Sequence, residues 1–129
     1  MAMDPEKRAA HRAKLRKLYH AYRERMPGEL AALRALAGQL AGTEEGDRTV
    51  LTTLRQQLHT IAGSGGTFGQ AALSEQARVL ELNVIAWLDL PALSLDREAR
   101  HQLEAEIAAL PARLIDVTDH DTLLGQEPH

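Results

Sequence analysis

The chain is predicted to be all-α, an antiparallel four-helix bundle with an extra N-terminal basic helix, and three observations predict it. Apolar residues recur every three or four positions along most of the length, which puts them on one face of successive helices. Alanine, leucine, glutamate, arginine and glutamine dominate while aromatics make up 3%, a balance that favours helix over strand. Glycine, proline and capping residues punctuate the pattern at intervals that suit four helices with short connections. No segment alternates as a half-buried strand would. A length of 129 residues suits one domain with one modest core.

The elements follow in order. Asp4 before Pro5 and Glu6 is a helix start, a side-chain cap followed by proline where its missing N–H does no harm. Leu15, Leu18, Tyr22, Met26, Leu30, Leu33, Leu36 and Leu40 then form one stripe. Pro27-Gly28 interrupts it and predicts a kink or a break into two helices, because proline removes a hydrogen bond and crowds the preceding turn. Gly42 to Gly46 reads as a loop and Asp47 as the next cap. The second bundle helix turns Val50, Leu51, Leu54, Leu58 and Ile61 inward and ends in a run holding Gly63, Gly65, Gly66 and Gly69. The third does so with Leu73, Ala77, Leu80, Val84 and Trp87 and closes at Leu90-Pro91. Ser94 caps the last helix, with Asp96 and Glu98 at its positive end and Leu95, Ala99, Leu103, Ile107, Leu110 and Leu114 inward. Pro111 bends it. The organisation expected is a basic helical extension over 1–26, the bundle over 27–117 and a frayed tail over 118–129.

Composition excludes several classes of function. With no cysteine, disulfides and thiolate metal sites are absent. The first residues lack the apolar run of a signal peptide, and no apolar stretch is long enough to cross a bilayer, so the expectation is a cytoplasmic protein without membrane association. The net charge of −3 implies no particular partner. Its distribution is uneven, with eight Lys or Arg against two Glu between Glu6 and Arg25. Such a stretch could bind nucleic acid or anionic lipid. It reads better as the solvated face of a docked helix, because basic and apolar positions interleave at helical spacing, and Tyr19 and Tyr22 read as packing residues. No nucleic-acid partner is expected.

Of the six histidines, five (11, 20, 101, 120 and 129) lie among charges or in the tail. His59 differs. Leu58 and Ile61 beside it belong to the core stripe, while Thr52, Arg55, Gln56, Ala62, Gly63 and Gly66 share its own face. Those residues are polar or very small. Each glycine inside a helix costs about 1 kcal/mol relative to alanine, so something must offset the run. Either a neighbouring helix approaches closely, or the surface beside His59 is cleared so that another protein's active site can reach the imidazole. Gly63 and Gly66 suit access and Gly69 suits the turn.

From Leu58 to Gly69 the chain reads L-H-T-I-A-G-S-G-G-T-F-G, then A-A-L-S-E-Q-A-R-V-L-E through Glu81. This resembles the histidine phosphotransfer (HPt) family, whose signature is A-H-x-x-K-G-S-x-G-x-x-G followed by a helix ending L-E. The likeness covers His59, Gly63, Ser64, Gly66, Gly69, Leu73, Ala77, Leu80 and Glu81, and the segment from about Gly28 to Leu114 fits the family's helix order. The resemblance implies a phosphocarrier that passes a phosphoryl group on His59 between receiver-domain aspartates of response regulators or a hybrid sensor kinase. It implies no self-sufficient enzyme, no autokinase activity, and no metal or cofactor bound by this chain, the Mg2+ belonging to the receiver. Thr52, Arg55, Gln56, Ala62, Gly63, Gly66, Arg78 and Glu81 are the candidate phosphoryl and partner surface. Where the family often has lysine, this chain has Ala62. Arg55, one turn before His59, or Arg78 on the next helix is the candidate for the missing charge, an arginine fork being well suited to a phosphoryl group.

Other readings are weaker. The glycine run lacks a P-loop lysine and a preceding strand, and Phe68 occupies the last glycine of a dinucleotide fingerprint. The histidines lack zinc-ligand spacing. The main competitor is a non-phosphorylated, HPt-like helical adaptor that binds a signalling partner, for which Ala62 is the argument.

Overall fold

The structure, a computed structural model, describes residues 4–43, 47–90 and 95–115. It contains four helices, α1 (Pro5–Ala41), α2 (Arg48–Thr67), α3 (Ala71–Leu88) and α4 (Arg97–Ala108), and a final 3-10 turn over Leu110–Arg113. No strand occurs among the described residues. The tightest pairing is α2 with α3, which a three-residue turn forces to run antiparallel; α1 packs on α2 and α4. Among the described residues no helix is long and apolar enough to cross a membrane.

Of the kink or break expected at Pro27, the break does not occur. α1 runs unbroken through it for 37 residues, so the basic stretch is the leading part of α1 and not a separate helix. The boundary expected between residues 26 and 27 falls inside that helix. The physical reason lies in the neighbours. Pro27 and Gly28 face solvent, whereas Met26 and Leu30 on either side are buried, and one continuous stripe carries Tyr19, Tyr22, Met26, Leu30, Leu33, Ala37 and Leu40 into the core. Burying those side chains at about 1.5–3 kcal/mol each outweighs the roughly 3 kcal/mol that a helical proline costs. The stripe is also shifted from the one expected near its start, with Tyr19 buried and Leu18 exposed.

Two of the three expected caps are in place. Asp4 accepts from the backbone N–H of Glu6, and Asp47 accepts from those of Thr49 and Val50. α4 is capped by Asp96, which accepts from the N–H of Ala99. Ser94, expected in that role, lies outside the described residues, as do Pro91, the centre of the 42–46 loop and the 118–129 tail. Pro111 does more than bend α4: the α-helix ends at Ala108 and the chain continues as the 3-10 turn.

Three polar side chains tie the connections down. The Arg48 guanidinium donates to the carbonyls of Leu88 and Leu90, closing the C-terminal end of α3 at 2.8 and 2.5 Å. Buried Gln70 donates through Nε2 to the Ile115 carbonyl and accepts the Ile115 N–H on Oε1, both at 2.8 Å, so the segment after the 3-10 turn is pinned to the α2–α3 turn. Buried Arg100 reaches Thr43. At Gly69 the backbone has φ 75°, a conformation that costs residues with a Cβ about 1–2 kcal/mol and makes glycine the fitting residue for this turn.

Tyr22 is fully buried, stacked on Phe68 with ring centroids 4.6 Å apart. Burial, reinforced by the Glu29 charge, pushes its phenol up to about 12 from the usual 10.0. Above pH about 10 the unfolded chain releases a proton that the folded chain keeps until about 12, so this contribution to stability is complete below that window and declines across it. Denaturation midpoints measured through the window are expected to fall more steeply for the wild-type chain than for Tyr22→Phe.

Candidate functional site

The site is built where α2 and α3 come closest. Leu51, Leu54, Leu58 and Ile61 anchor α2 in the core and leave the opposite side of the helix outward. His59 lies on that outward side with its side chain 67% exposed. From α3, Glu81 projects toward it. The Glu81 side chain is buried to 4% exposure, and its Oε2 lies 2.8 Å from His59 Nδ1. An ionised carboxylate can only accept, so opposite it a neutral imidazole carries its proton on Nδ1 and keeps its lone pair on Nε2. The Arg78 guanidinium, one turn earlier on α3, stands 3.6 Å from the other carboxylate oxygen.

A buried carboxylate without partners would cost several kcal/mol. Here the imidazole N–H and the arginine flank it from two sides. The link runs both ways: the helix pair holds the carboxylate, and the carboxylate fixes the ring's tautomer and orientation.

The glycines divide into two kinds. A Cβ on Gly63, one turn after His59, would meet nothing within 4 Å. One on Gly66 would come no nearer than 3.7 Å to the Ser74 hydroxyl. Neither glycine is required by packing, and both leave the surface beside the imidazole low. Gly65 is different. A Cβ there would lie 3.3 Å from Ser74 Cβ, tighter than ordinary contact, so Gly65 is what lets α3 approach. Ser74 uses that proximity to donate its hydroxyl to the Ala62 carbonyl at 2.6 Å, a cross-helix bond in the turn just below His59.

The candidate surface residues do not all lie together. Thr52, Gln56, Gly63 and Gly66 are exposed on the His59 side, and Arg55 is half-buried there. The Thr52 hydroxyl is committed to the Arg48 carbonyl of its own helix, so it offers a partner mainly its methyl group. Two assignments need correction. Ala62 turns inward to 9% exposure and packs in the core, because at this position the helix face has rotated toward α3. Glu81 is not part of an exposed surface but the buried partner of His59. Ser74 was not foreseen. Its signal was a small polar residue opposite the glycines, detectable only once the α2–α3 register is known.

The profile of the Hpt domain family matches residues 17–113, a span that contains His59, the glycine run, Ser74, Arg78 and Glu81 and that ends with the 3-10 turn. No curated protein and no solved structure matches the chain significantly. With three quarters of its length inside that match, and four helices arranged around an exposed histidine, the chain belongs to the Hpt domain family.

Proposed function

We propose that the protein is a cytoplasmic phosphocarrier that accepts a phosphoryl group on Nε2 of His59 from a receiver-domain aspartate and passes it to another. The observation that carries this reading is the pairing of an exposed imidazole with a buried carboxylate on Nδ1, beside a surface with no side chain at Gly63. Membership of the Hpt family supports a role in phosphorelays generally.

The chemistry asks little of this chain. The Nε2 lone pair attacks phosphorus in line with the aspartyl oxygen, the O–P bond breaks, and the aspartate departs as a carboxylate. The reverse step repeats this with the ring as leaving group. Phosphoryl transfer depends mainly on positioning and charge, and the receiver, with its Mg2+, supplies the charge around the transferred group. Glu81 supplies the positioning: it fixes the ring and keeps the lone pair on Nε2. Arg55, one turn before His59 on the same face, is placed to neutralise phosphoryl oxygens in place of the lysine absent at Ala62. Arg78 faces Glu81 instead.

Incubation with a phosphorylated receiver is expected to label the wild-type chain and leave His59→Gln unlabelled. A chain that binds receivers without ever taking label is the non-phosphorylated adaptor, and that result ends the phosphocarrier reading. Substitution at Gly63 separates access from folding. Gly63→Ala is expected to raise stability by up to about 1 kcal/mol, since an exposed helical glycine is replaced where nothing obstructs. Gly63→Trp is expected to melt within a few degrees of wild type yet transfer at least about tenfold more slowly, equivalent to about 1.4 kcal/mol on the barrier. Arg55→Ala is expected to slow transfer about three- to fivefold, the worth of one half-exposed charge, with Arg55→Lys recovering part of the loss.

A further inference from the structure

We infer that Glu81 keeps a proton on Nδ1 of His59 after Nε2 has been phosphorylated, that Arg78 opposes it, and that the two together set how long the phosphoryl group stays. The inference rests on the proposal that His59 is the residue phosphorylated.

The reactive form of the ring is the neutral one whose hydrogen is on Nδ1, directed at Glu81 Oε2 2.8 Å away. When the Nε2 lone pair becomes the N–P bond, the ring becomes a cation unless Nδ1 loses its hydrogen. No proton needs to move in the step, because the donor aspartate leaves as an anion. In water alone no fixed anion would hold that proton on the new cation. Here the ionised carboxylate of Glu81, buried to 4% exposure and in direct contact, neutralises the ring where it stands. An ion pair replaces a hydrogen bond between a neutral donor and an anion, and attraction in a poorly solvated setting is strong.

The state of Nδ1 decides how the phosphoryl group departs. With the hydrogen in place, breaking the N–P bond releases neutral imidazole. Without it, the same cleavage releases an imidazolide anion, a far poorer leaving group. Loss to water adds hydroxide to phosphorus, returns the bond pair to Nε2 and sets a proton free, giving inorganic phosphate and the starting ring. A carboxylate that retains the Nδ1 hydrogen therefore holds phosphohistidine in its readily transferred, shorter-lived form. The same hydrogen bond that prepares the nucleophile also prepares the leaving group.

Arg78 works in the other direction. Its guanidinium lies 3.6 Å from Glu81 Oε1 and draws on the same negative charge, so the ring holds its proton less firmly. Its side chain is 60% exposed, which keeps the effect small. On α2 Arg55 precedes His59 by one helical turn, and on α1 Glu29 lines the groove beside Gln56 and Thr60. Both are unchanged in the variants compared, as is the charge of the phosphoryl group.

The test uses the full chain phosphorylated with phosphoramidate, a small donor that needs no receiver, with His59→Gln as the control for site. The rate of phosphate loss is followed from about pH 5 to about pH 10, and the phosphorus NMR shift reports protonation of the ring directly. Loss should slow as pH rises through deprotonation of Nδ1. The midpoint for Glu81→Gln is expected about one to two pH units below wild type, the range of a charge-assisted hydrogen bond. The midpoint for Arg78→Gln is expected to lie above wild type by a few tenths of a unit. Coincident profiles for wild type and Glu81→Gln overturn the inference, and so does a downward shift in Arg78→Gln. The latter measurement decides alone if Glu81→Gln does not fold. A His59 that accepts phosphate from phosphoramidate but from no phosphorylated receiver removes the relay role and leaves the inference to the profiles. A His59 that phosphoramidate does not label overturns both.

Discussion

The site depends on how closely α3 lies against α2. Gly65 permits the approach, with a notional Cβ only 3.3 Å from Ser74, and the Ser74 hydroxyl fastens it by bonding the Ala62 carbonyl. With α3 so near, Glu81 reaches Nδ1 of His59 from a largely buried position. Were the helices set apart by one more methyl layer, the carboxylate would sit in water and the imidazole would rotate freely. A single small residue thus controls the separation, the separation controls the hydrogen bond, and the hydrogen bond controls the state of the ring. The turn after α2 serves the same end. Gly69 bends the chain sharply, and Gln70 pins the Ile115 backbone beneath it, so α3 starts from a fixed place.

Much of the fold could be read from residue order because its signals are local. Asp4, Asp47 and the stripes of leucine and alanine state their roles within a turn or two of themselves. The unbroken helix at Pro27 shows the limit of that reading. A proline's cost is local, but the burial that outweighs it comes from contacts that α1 makes with the rest of the bundle between Tyr19 and Leu40. Local rules record the penalty and miss the compensation. The 3-10 turn after Ala108 and the capping of α3 by Arg48 are of the same kind, since they depend on which chain ends meet in space.

The site divides along the same line. His59 and Gly63 were identifiable from spacing on one helix, which fixes direction without knowledge of the partner helix. Glu81 entered only through the family's pattern, 22 positions away, and its role as the Nδ1 partner could not be assigned. Ala62 illustrates the reverse. On a helical wheel it lies near the His59 face, and only the actual position of α3 shows that this edge of the face is covered.

The contrast between the glycines carries the functional argument furthest. A fold under selection for stability alone has no use for Gly63, because alanine would fit and would favour the helix by about 1 kcal/mol. Gly65 needs no function to account for it, since packing suffices. Two glycines within one turn of the same helix thus answer to different constraints. Gly63 opens toward solvent beside the imidazole, where the space it leaves benefits only a molecule arriving from outside. The carboxylate beneath holds the ring turned, with its inner nitrogen engaged and its outer one toward solvent. An exposed imidazole held from below and unobstructed from above is the arrangement that the proposed phosphocarrier needs, with the other half of its site on a partner.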